Sequence, residues 1–234
     1  MEPILLYGHP LGSSMGLVAA LEWLGQPYRL SRVDMLKEMT STAYRRVNDR
    51  SETPVLITDQ SRVLTETMAI ARWLELRDTE HRISFASGSA ESERMHQLMA
   101  FLNTGFTGAF SPLWVALEAE NADPAYRETL RVYGRAAVAN RHAKLEAMMG
   151  DTPYLVGDRP SLADAVLIGV ARWAEFHQAV DPSAYPKLAG LRRRMDADPA
   201  VQFGLAIENG DTPPGSGAML GQTPLVEILG RYAA

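Results

Sequence analysis

Short apolar runs and helical periodicities alternate at the start of the chain. The run Ile4–Tyr7 is followed by a Gly-His-Pro turn, which predicts a buried strand. Apolar side chains spaced i, i+3, i+4, i+7 from Leu17 to Leu24 predict a helix that ends at Gly25. Tyr28–Val33 then alternates apolar and polar residues, as a second strand does. A strand, helix and strand in this order form a βαβ unit, whose strands should be parallel.

A second group of elements follows a connecting segment. Thr53–Ile57 predicts a third strand, a polar turn follows it, and Arg62–Leu64 predicts the strand that returns. A helix should begin at Thr65-Glu66-Thr67. The N-terminal domain, residues 1–78, therefore has the order β-α-β, then β-β-α.

The rest of the chain reads differently. Residues 79–90 are polar and predict a linker. Residues 91–208 have helical periodicity, and 209–234 form a Gly/Pro-rich tail without a clear period, apart from a closing amphipathic turn near 225–229. The predicted helices of the all-helical domain span 91–118, 125–149, 161–177, 187–197 and, more briefly, 199–207.

Composition excludes several classes of function. The formal net charge is −5, whereas nucleic-acid-binding proteins usually have a basic face. Apolar runs are far shorter than the roughly 20 residues of a membrane span, and the first residues do not resemble a secretory signal. We therefore expect a cytoplasmic protein. The chain has no cysteine, so any sulfur chemistry must use a ligand's sulfur. The five histidines show no metal-ligand spacing, and no metal is expected.

Two serines stand where the first helix begins. Ser13 and Ser14 have two interpretations. Serine at this position commonly caps a helix by accepting a hydrogen bond from a free backbone N–H. Alternatively, one hydroxyl faces a ligand, because a helix N-terminus carries partial positive charge and favours an anion such as a thiolate.

The third strand and the next helix carry similar ambiguities. Pro54 is either an ordinary trans proline at a strand start or a cis proline that turns the Thr53 backbone toward an extended peptide. Thr65-Glu66-Thr67 is either a helix cap or a site for a free amino acid. In the second case, Glu66 would pair with the ammonium group, and Thr67 would bind the carboxylate.

The order of these features resembles the glutathione S-transferase superfamily. Val63–Ile70 is similar to its "LTES-x-AI" signature, and Tyr154–Ala165 is similar to "YL-x-G-x-x-[ST]-x-AD". The first turn, His9–Ser14, and the phrase Phe110–Trp114 resemble "SPGACS" and "GFSPLF" of the bacterial beta class. In this chain the class cysteine falls on Ser13, and the histidine expected in the long helix falls on Thr107.

The resemblance implies a thioredoxin-like domain followed by an all-helical domain, and a homodimer. It implies that glutathione binds as co-substrate beside a cis Pro54, with Thr53 on the cysteinyl unit and Glu66 and Thr67 on the γ-glutamyl unit. Ser13 would donate a hydrogen bond to the thiolate, with Ser14 as the second choice. The remaining implied residues are Lys37 or Arg50 at the glycyl carboxylate, which are otherwise surface charges, and Pro10, Leu11, Thr107, Phe110 and Trp114 around a small hydrophobic electrophile. The aromatic residues of the long helix, Phe101, Phe106, Phe110 and Trp114, are otherwise residues of the core.

Three functions remain open at this point. The first is the attack of glutathione thiolate on small hydrophobic electrophiles. The second is glutathione-dependent reduction of a disulfide or peroxide, or dehalogenation. The third is a non-catalytic glutathione-binding protein, because a fold does not dictate a function. Ser161 and Asp164, which have the spacing of a capping box, are expected to serve folding.

Overall fold

The computed structural model describes residues 1–119 and 121–232. The first part contains the predicted β-α-β and β-β-α units, joined by one short helix that the sequence did not predict. Their bounds are β1 Ile4–His9, α1 Met15–Leu24, β2 Tyr28–Asp34, α2 Thr42–Arg45, β3 Val55–Ile57, β4 Val63–Thr65 and α3 Thr67–Glu75. The helical part comprises α4 Ala90–Phe101, α5 Ser111–Glu118, α6 Pro124–Met148, α7 Leu162–Ala171, α8 Trp173–Phe176, α9 Pro186–Asp196 and α10 Pro199–Asn209.

The sheet has five strands, and the fifth comes from the tail. The strand order is β4-β3-β1-β2-β5, where β5 is Met219–Gln222. β1 and β2 are parallel, as predicted, and β3 and β4 are antiparallel to their neighbours. The sequence did not predict β5, which pairs in parallel with β2, whereas the amphipathic turn expected near 225–229 lies within the helix α11, Leu225–Tyr232. β5 has only four residues, and pairing with β2 does not require a pattern of apolar residues in β5 itself.

Side-chain alternation along β1 divides the N-terminal part into two cores. Leu5 and Tyr7 point into a large core that joins the sheet to α1, α3 and the helical part. Ile4 and Leu6 point the other way, into a smaller core shared with α2 and α11. Because neighbouring strand residues face opposite sides, one strand fills both cores.

Two predicted helices are interrupted. The helix predicted for 91–118 passes from α4 into a π-helical turn, Leu102–Phe106, and restarts at α5. Pro112 in the first turn of α5 explains the restart, since proline has no N–H to continue the preceding hydrogen-bond ladder. The helix predicted for 161–177 is divided at Arg172 into α7 and α8.

The start of α7 confirms the predicted folding role of Ser161 and Asp164. The Asp164 carboxylate accepts hydrogen bonds from the Ser161 N–H at 2.9 Å, the Ser161 hydroxyl at 2.8 Å and the Leu155 N–H at 3.0 Å. The carboxyl group is buried, and burial raises its pKa to about 6. The first turn of α7 is thus closed by the protein itself.

Candidate functional site

The starts of α1 and α3 lie beside two cis peptide bonds. Thr53–Pro54 is cis, as the family resemblance implied, and His9–Pro10 is a second cis bond that was not predicted. Gly8 brings the two segments together, because a Cβ atom at Gly8 would overlap the Thr53 side chain. The Gly8 N–H also donates a 2.9 Å hydrogen bond to the Ser14 hydroxyl. The turn before α1 and the turn before β3 are therefore neighbours.

The two serines at the start of α1 have different environments. Ser14 is fully buried, so the structure removes it as the second choice for contacting a ligand's sulfur. It also makes no side-chain cap, since its oxygen accepts from Gly8 in the preceding loop. Ser13 is half-buried, and among the described residues its hydroxyl has no hydrogen-bonding partner. Of these two serines, Ser13 is the one that is partly exposed, and its role toward a ligand remains a prediction.

Close backbone packing fixes the position of this helix start. A Cβ atom on Gly169 of α7 would overlap the Ser13 carbonyl oxygen, and one on Gly16 of α1 would overlap the Ala165 carbonyl oxygen. Only glycine permits so close an approach at these positions. The first turn of α1 is consequently held against α7 of the helical part.

Five of the residues predicted to bind glutathione line one small cleft. The cavity holds about 50 Å³, and Asn48 and Glu52 complete its lining. The five predicted residues in it are Arg50, Thr53, Pro54, Glu66 and Thr67. The structure therefore brings together side chains from the segment before β3 and from the start of α3. What they bind remains a prediction.

Glu66, which lines this cleft, has an unusual backbone conformation. It has φ 71° and ψ 123°, a positive φ that is uncommon outside glycine. Residues held in such conformations cluster at functional sites. Neither Glu66 nor a neighbour caps α3 with a side chain, in contrast to the alternative prediction of a cap. The first turn of α3 therefore keeps the free N–H groups and partial positive charge that favour a carboxylate.

The two candidate cations for the glycyl carboxylate are placed differently. Arg50 pairs with Glu66 at 2.9 Å and donates to the Thr65 hydroxyl at 2.8 Å, so it lies at the cleft. The Lys37 side chain is 83% exposed and pairs with Asp34 at 3.4 Å. It does not line the cleft. Lys37 thus fits its other interpretation, a surface charge.

The side chains predicted to surround an electrophile divide into two layers. Pro10 is exposed and Leu11 is half-buried, both on the turn before α1. Trp114 is half-buried. Thr107 is also half-buried, and its hydroxyl donates to the Leu102 carbonyl within its own helix. Phe110 is fully buried, so its assignment to the pocket lining is wrong and it belongs to the core behind.

Three aromatic residues of α8 and its end were missed by the sequence analysis. Phe176 stacks on Trp114 with ring centroids 5.5 Å apart, and Trp173 meets Trp114 edge-on at 5.4 Å. The His177 ring lies 4.3 Å from Trp114, and burial lowers its pKa. The Trp173 indole N–H donates to the Leu11 carbonyl at 2.8 Å, which ties this aromatic group to the turn before α1.

A buried ion pair that was also missed holds the same turn. Arg172 and Glu208 lie 2.5 Å apart with side chains 13% and 6% exposed. Arg172 donates to the Gly12 carbonyl at 2.8 Å, and the Gly12 N–H donates to Glu208 at 3.2 Å. Gly12 precedes Ser13, so this ion pair fixes the peptide that presents the serine. No local pattern could reveal it, because 160 residues separate Gly12 from Arg172.

Two features are absent from the described ranges, 1–119 and 121–232. They contain no group of three or more histidine, aspartate or glutamate side chains arranged to hold a metal ion. None of their helices combines the length and apolarity that crossing a bilayer requires.

Comparison with known proteins identifies the family. Residues 14–77 match the glutathione S-transferase N-terminal domain, and residues 92–199 match the glutathione S-transferase C-terminal domain. Glutathione S-transferase GST-4.5 of Xanthomonas campestris pathovar campestris is 30% identical over 206 residues, which cover 87% of this chain and 98% of that protein. The chain therefore belongs to the glutathione S-transferase family.

Solved structures agree with this assignment. A sphingomonad glutathione S-transferase complexed with glutathione is 25% identical, with a TM-score of 0.75, over 88% of this chain and 98% of that one. The bacterial beta class glutathione S-transferase of Sphingomonas chungbukensis is 25% identical with a TM-score of 0.74 and the same coverage of both chains. The two-part fold and the resemblance to bacterial relatives are thereby confirmed.

Proposed function

We propose that this protein binds glutathione in the cleft between the β3 turn and α3, and promotes attack of its thiolate on small hydrophobic electrophiles. The observation that carries the proposal is the convergence of Arg50, Thr53, Pro54, Glu66 and Thr67 on one cleft. In it, Glu66 receives the γ-glutamyl ammonium group, and the open N-terminus of α3 with Thr67 receives the carboxylate.

Ser13 is the proposed donor to the sulfur. A free thiol has a pKa near 8.5, and lowering it to about 6.5 requires about 2.7 kcal/mol of preferential thiolate stabilisation. One hydrogen bond to a charged group contributes about 1.5–3 kcal/mol, and the helix N-terminus contributes about 0.3–1 kcal/mol. The two together supply the required shift. The thiol proton leaves to solvent, a carbon–sulfur bond forms, and the leaving group departs with its electron pair.

The electrophile is proposed to lie on the aromatic group formed by Trp114, Trp173 and Phe176. Phe176 is 48% exposed, which leaves apolar surface beside the turn that carries Ser13. A homodimer is part of the same proposal. It is supported by exposed apolar side chains on α5 and α6, namely Val115, Leu117, Tyr126, Val132 and Tyr133. Sedimentation equilibrium measures that state directly.

Ser13→Ala tests the chemical role. We expect the pKa of the bound thiol to rise by about 1–2 units, because the variant loses one charge-assisted hydrogen bond. An ultraviolet titration of the thiolate with glutathione bound measures it. Ser14→Ala is the matched control, since Ser14 is buried and should affect stability but not the thiol. An unchanged titration in Ser13→Ala would reject Ser13 as the donor.

Product analysis separates the possible activities. Incubation with glutathione and 1-chloro-2,4-dinitrobenzene should yield a thioether and chloride. Release of oxidised glutathione with a disulfide or peroxide, without thioether formation from any electrophile, would favour the reductase alternative. If calorimetry at millimolar glutathione showed neither heat nor a rise in Tm, glutathione binding itself would be refuted.

A further inference from the structure

The chain beyond α10 lies outside both family-domain matches yet is built into the sheet. We call residues 210–232 the C-terminal segment. The family matches end at residue 199. The segment's strand β5 extends the sheet at β2, where the Tyr28 N–H donates to the Ala218 carbonyl at 3.1 Å and the Thr223 N–H donates to the Leu30 carbonyl at 2.7 Å.

Buried polar groups anchor this segment. The Glu22 side chain on α1 is buried, and its two carboxylate oxygens accept from the Tyr28 hydroxyl at 2.6 Å and from the Ser216 N–H at 2.6 Å. The Gln222 amide donates to the Tyr7 hydroxyl at 3.2 Å. The bonds from Ser216 and Gln222 join the segment to α1 and β1 of the N-terminal domain, and the Tyr28 hydroxyl holds the Glu22 carboxylate that receives Ser216.

The anchored segment carries α11 onto the face of the sheet where α2 packs. Ile228 is fully buried in the smaller core, which it shares with Tyr44 of α2 and Val47 just after it. Leu225, Leu229 and Tyr232 pack at the edge of this core. Burial of Ile228 in a core that also contains Tyr44 favours the arrangement in which α2 and α11 both cover this face of the sheet.

Tyr44 connects that core to the proposed glutathione cleft. Its hydroxyl donates to the Glu52 carbonyl at 2.8 Å, and the Asn48 side chain donates to the same oxygen at 2.8 Å. Glu52 precedes Thr53, and Asn48, Glu52 and Thr53 all line the cleft. The path therefore runs from the smaller core, which contains both Ile228 and Tyr44, through the Tyr44 hydroxyl to the Glu52 carbonyl and the Thr53 backbone.

We infer that the C-terminal segment is a positioning element for glutathione binding, with Ile228 as its central positioning residue. This inference rests on the proposed function. The segment holds residues 44–53 in the conformation that the peptide needs, so less ordering remains to be done when glutathione binds. It acts on affinity and leaves the chemistry at Ser13 untouched.

Ile228→Ala is the test. Removing the buried side chain leaves a cavity beneath α2, and we expect the Kd for glutathione to rise about fivefold while kcat at saturating glutathione is unchanged. Ile228→Val should return the Kd close to that of the wild-type protein. Val226→Ala is the matched control, because Val226 lies on the same helix and is 75% exposed. Calorimetry and steady-state kinetics provide the two measurements.

A second core variant distinguishes a loss of cleft positioning from a general loss of stability. Val138→Ala on α6 also removes a fully buried side chain, but it lies in the helical part, and it should lower Tm without changing the Kd. Amide hydrogen exchange should rise in residues 44–52 only in Ile228→Ala. An unchanged Kd in Ile228→Ala, or an equal rise in Kd in Val138→Ala, would overturn the inference.

Failure of the proposed function has a different signature. If the wild-type protein does not bind glutathione, the calorimetric arm fails for every variant alike. If the wild-type protein binds and Ile228→Ala binds equally well, only the positioning role is refuted.

Discussion

The starts of α1, α3 and α7 differ in whether a side chain caps the backbone N–H groups of the first turn. At α7, the Asp164 carboxylate accepts from the backbone and hydroxyl of Ser161 and is buried. At α1 and α3, no side chain caps the first turn. Free N–H groups at a helix start attract an anion. In α1 the N–H groups of Met15, Gly16 and Leu17 already donate to backbone carbonyls of the preceding turn, so the start of α3 is the one that leaves this attraction available to a ligand.

A capping residue in the sequence does not by itself distinguish the two kinds of start, although only α7 has the Ser-x-x-Asp spacing of a capping box. A serine or threonine stands at each of them, and a capping interpretation was available for all three. The difference arises from where the side chains are directed. Asp164 is directed back to its own helix, whereas Glu66, at φ 71°, turns its carboxylate toward Arg50 across a cleft. The following variants should widen or remove this contrast.

Asp164→Ala should have the largest effect. It leaves the Ser161 N–H, the Ser161 hydroxyl and the Leu155 N–H without their acceptor, and each buried unsatisfied donor costs about 1–3 kcal/mol. We expect the free energy of unfolding to fall by about 4 kcal/mol in urea denaturation. Glutathione affinity of the remaining folded protein should be unchanged. A loss below about 1 kcal/mol would contradict a closed, folding-only start.

Glu208→Gln should rank second. It removes the charge that faces buried Arg172, and breaking one side of a buried ion pair costs about 3–5 kcal/mol. Since the glutamine can still accept from Gly12, we expect about 3 kcal/mol, at the lower end of that range. The ion pair also holds the Gly12 peptide that precedes Ser13. We therefore expect the pKa of the bound glutathione thiol to rise as well. Arg192→Gln, which breaks a more exposed pair with Asp196, is the control and should leave the thiol unaffected.

The pH dependence of stability gives the next contrast. Asp164 has a pKa of about 6 in the folded protein, above its ordinary value of 3.8. Between these values the folded state holds a proton that the unfolded state has released, so this group's contribution falls as pH rises from about 4 to 6. The loss is roughly 2–3 kcal/mol. Asp164→Asn should lack it, so the wild-type advantage in free energy of unfolding over this variant should shrink between pH 4 and pH 7.

Glu66→Gln should have the smallest effect on stability and a clear one on binding. Glu66 is 61% exposed, and surface pairs such as Arg50–Glu66 contribute about 0–1 kcal/mol, so Tm should hardly change. The Kd for glutathione should rise about tenfold, as the ammonium group loses its charged partner. Glu80→Gln, which alters another exposed pair, is the control for calorimetry. Equal affinities in both variants would argue against an open α3 start that binds the γ-glutamyl group.

Much of the fold could be predicted from local patterns. The period of apolar residues located α1 and β2, and Gly25 ends α1 in the left-handed conformation, as a glycine at that position should. The site was predictable only as a set of candidate residues. Of the two serines, burial selects Ser13, and burial also removes Phe110 from the pocket lining. Burial depends on what packs against a residue, and the flanking residues do not contain that information.

The sequence by itself determined the order of the elements from β1 to α3 apart from α2, the two-part architecture and the short segments from which a glutathione cleft would be built. These follow from side-chain periodicity and from backbone preferences, which act over a few residues. Only the tertiary structure decided that Ser14 is buried while Ser13 stays partly exposed, that Arg172 and Glu208 hold the turn before Ser13, and that β5 completes the sheet. Each of these depends on contacts between residues far apart in the chain, which form only when the two parts pack together.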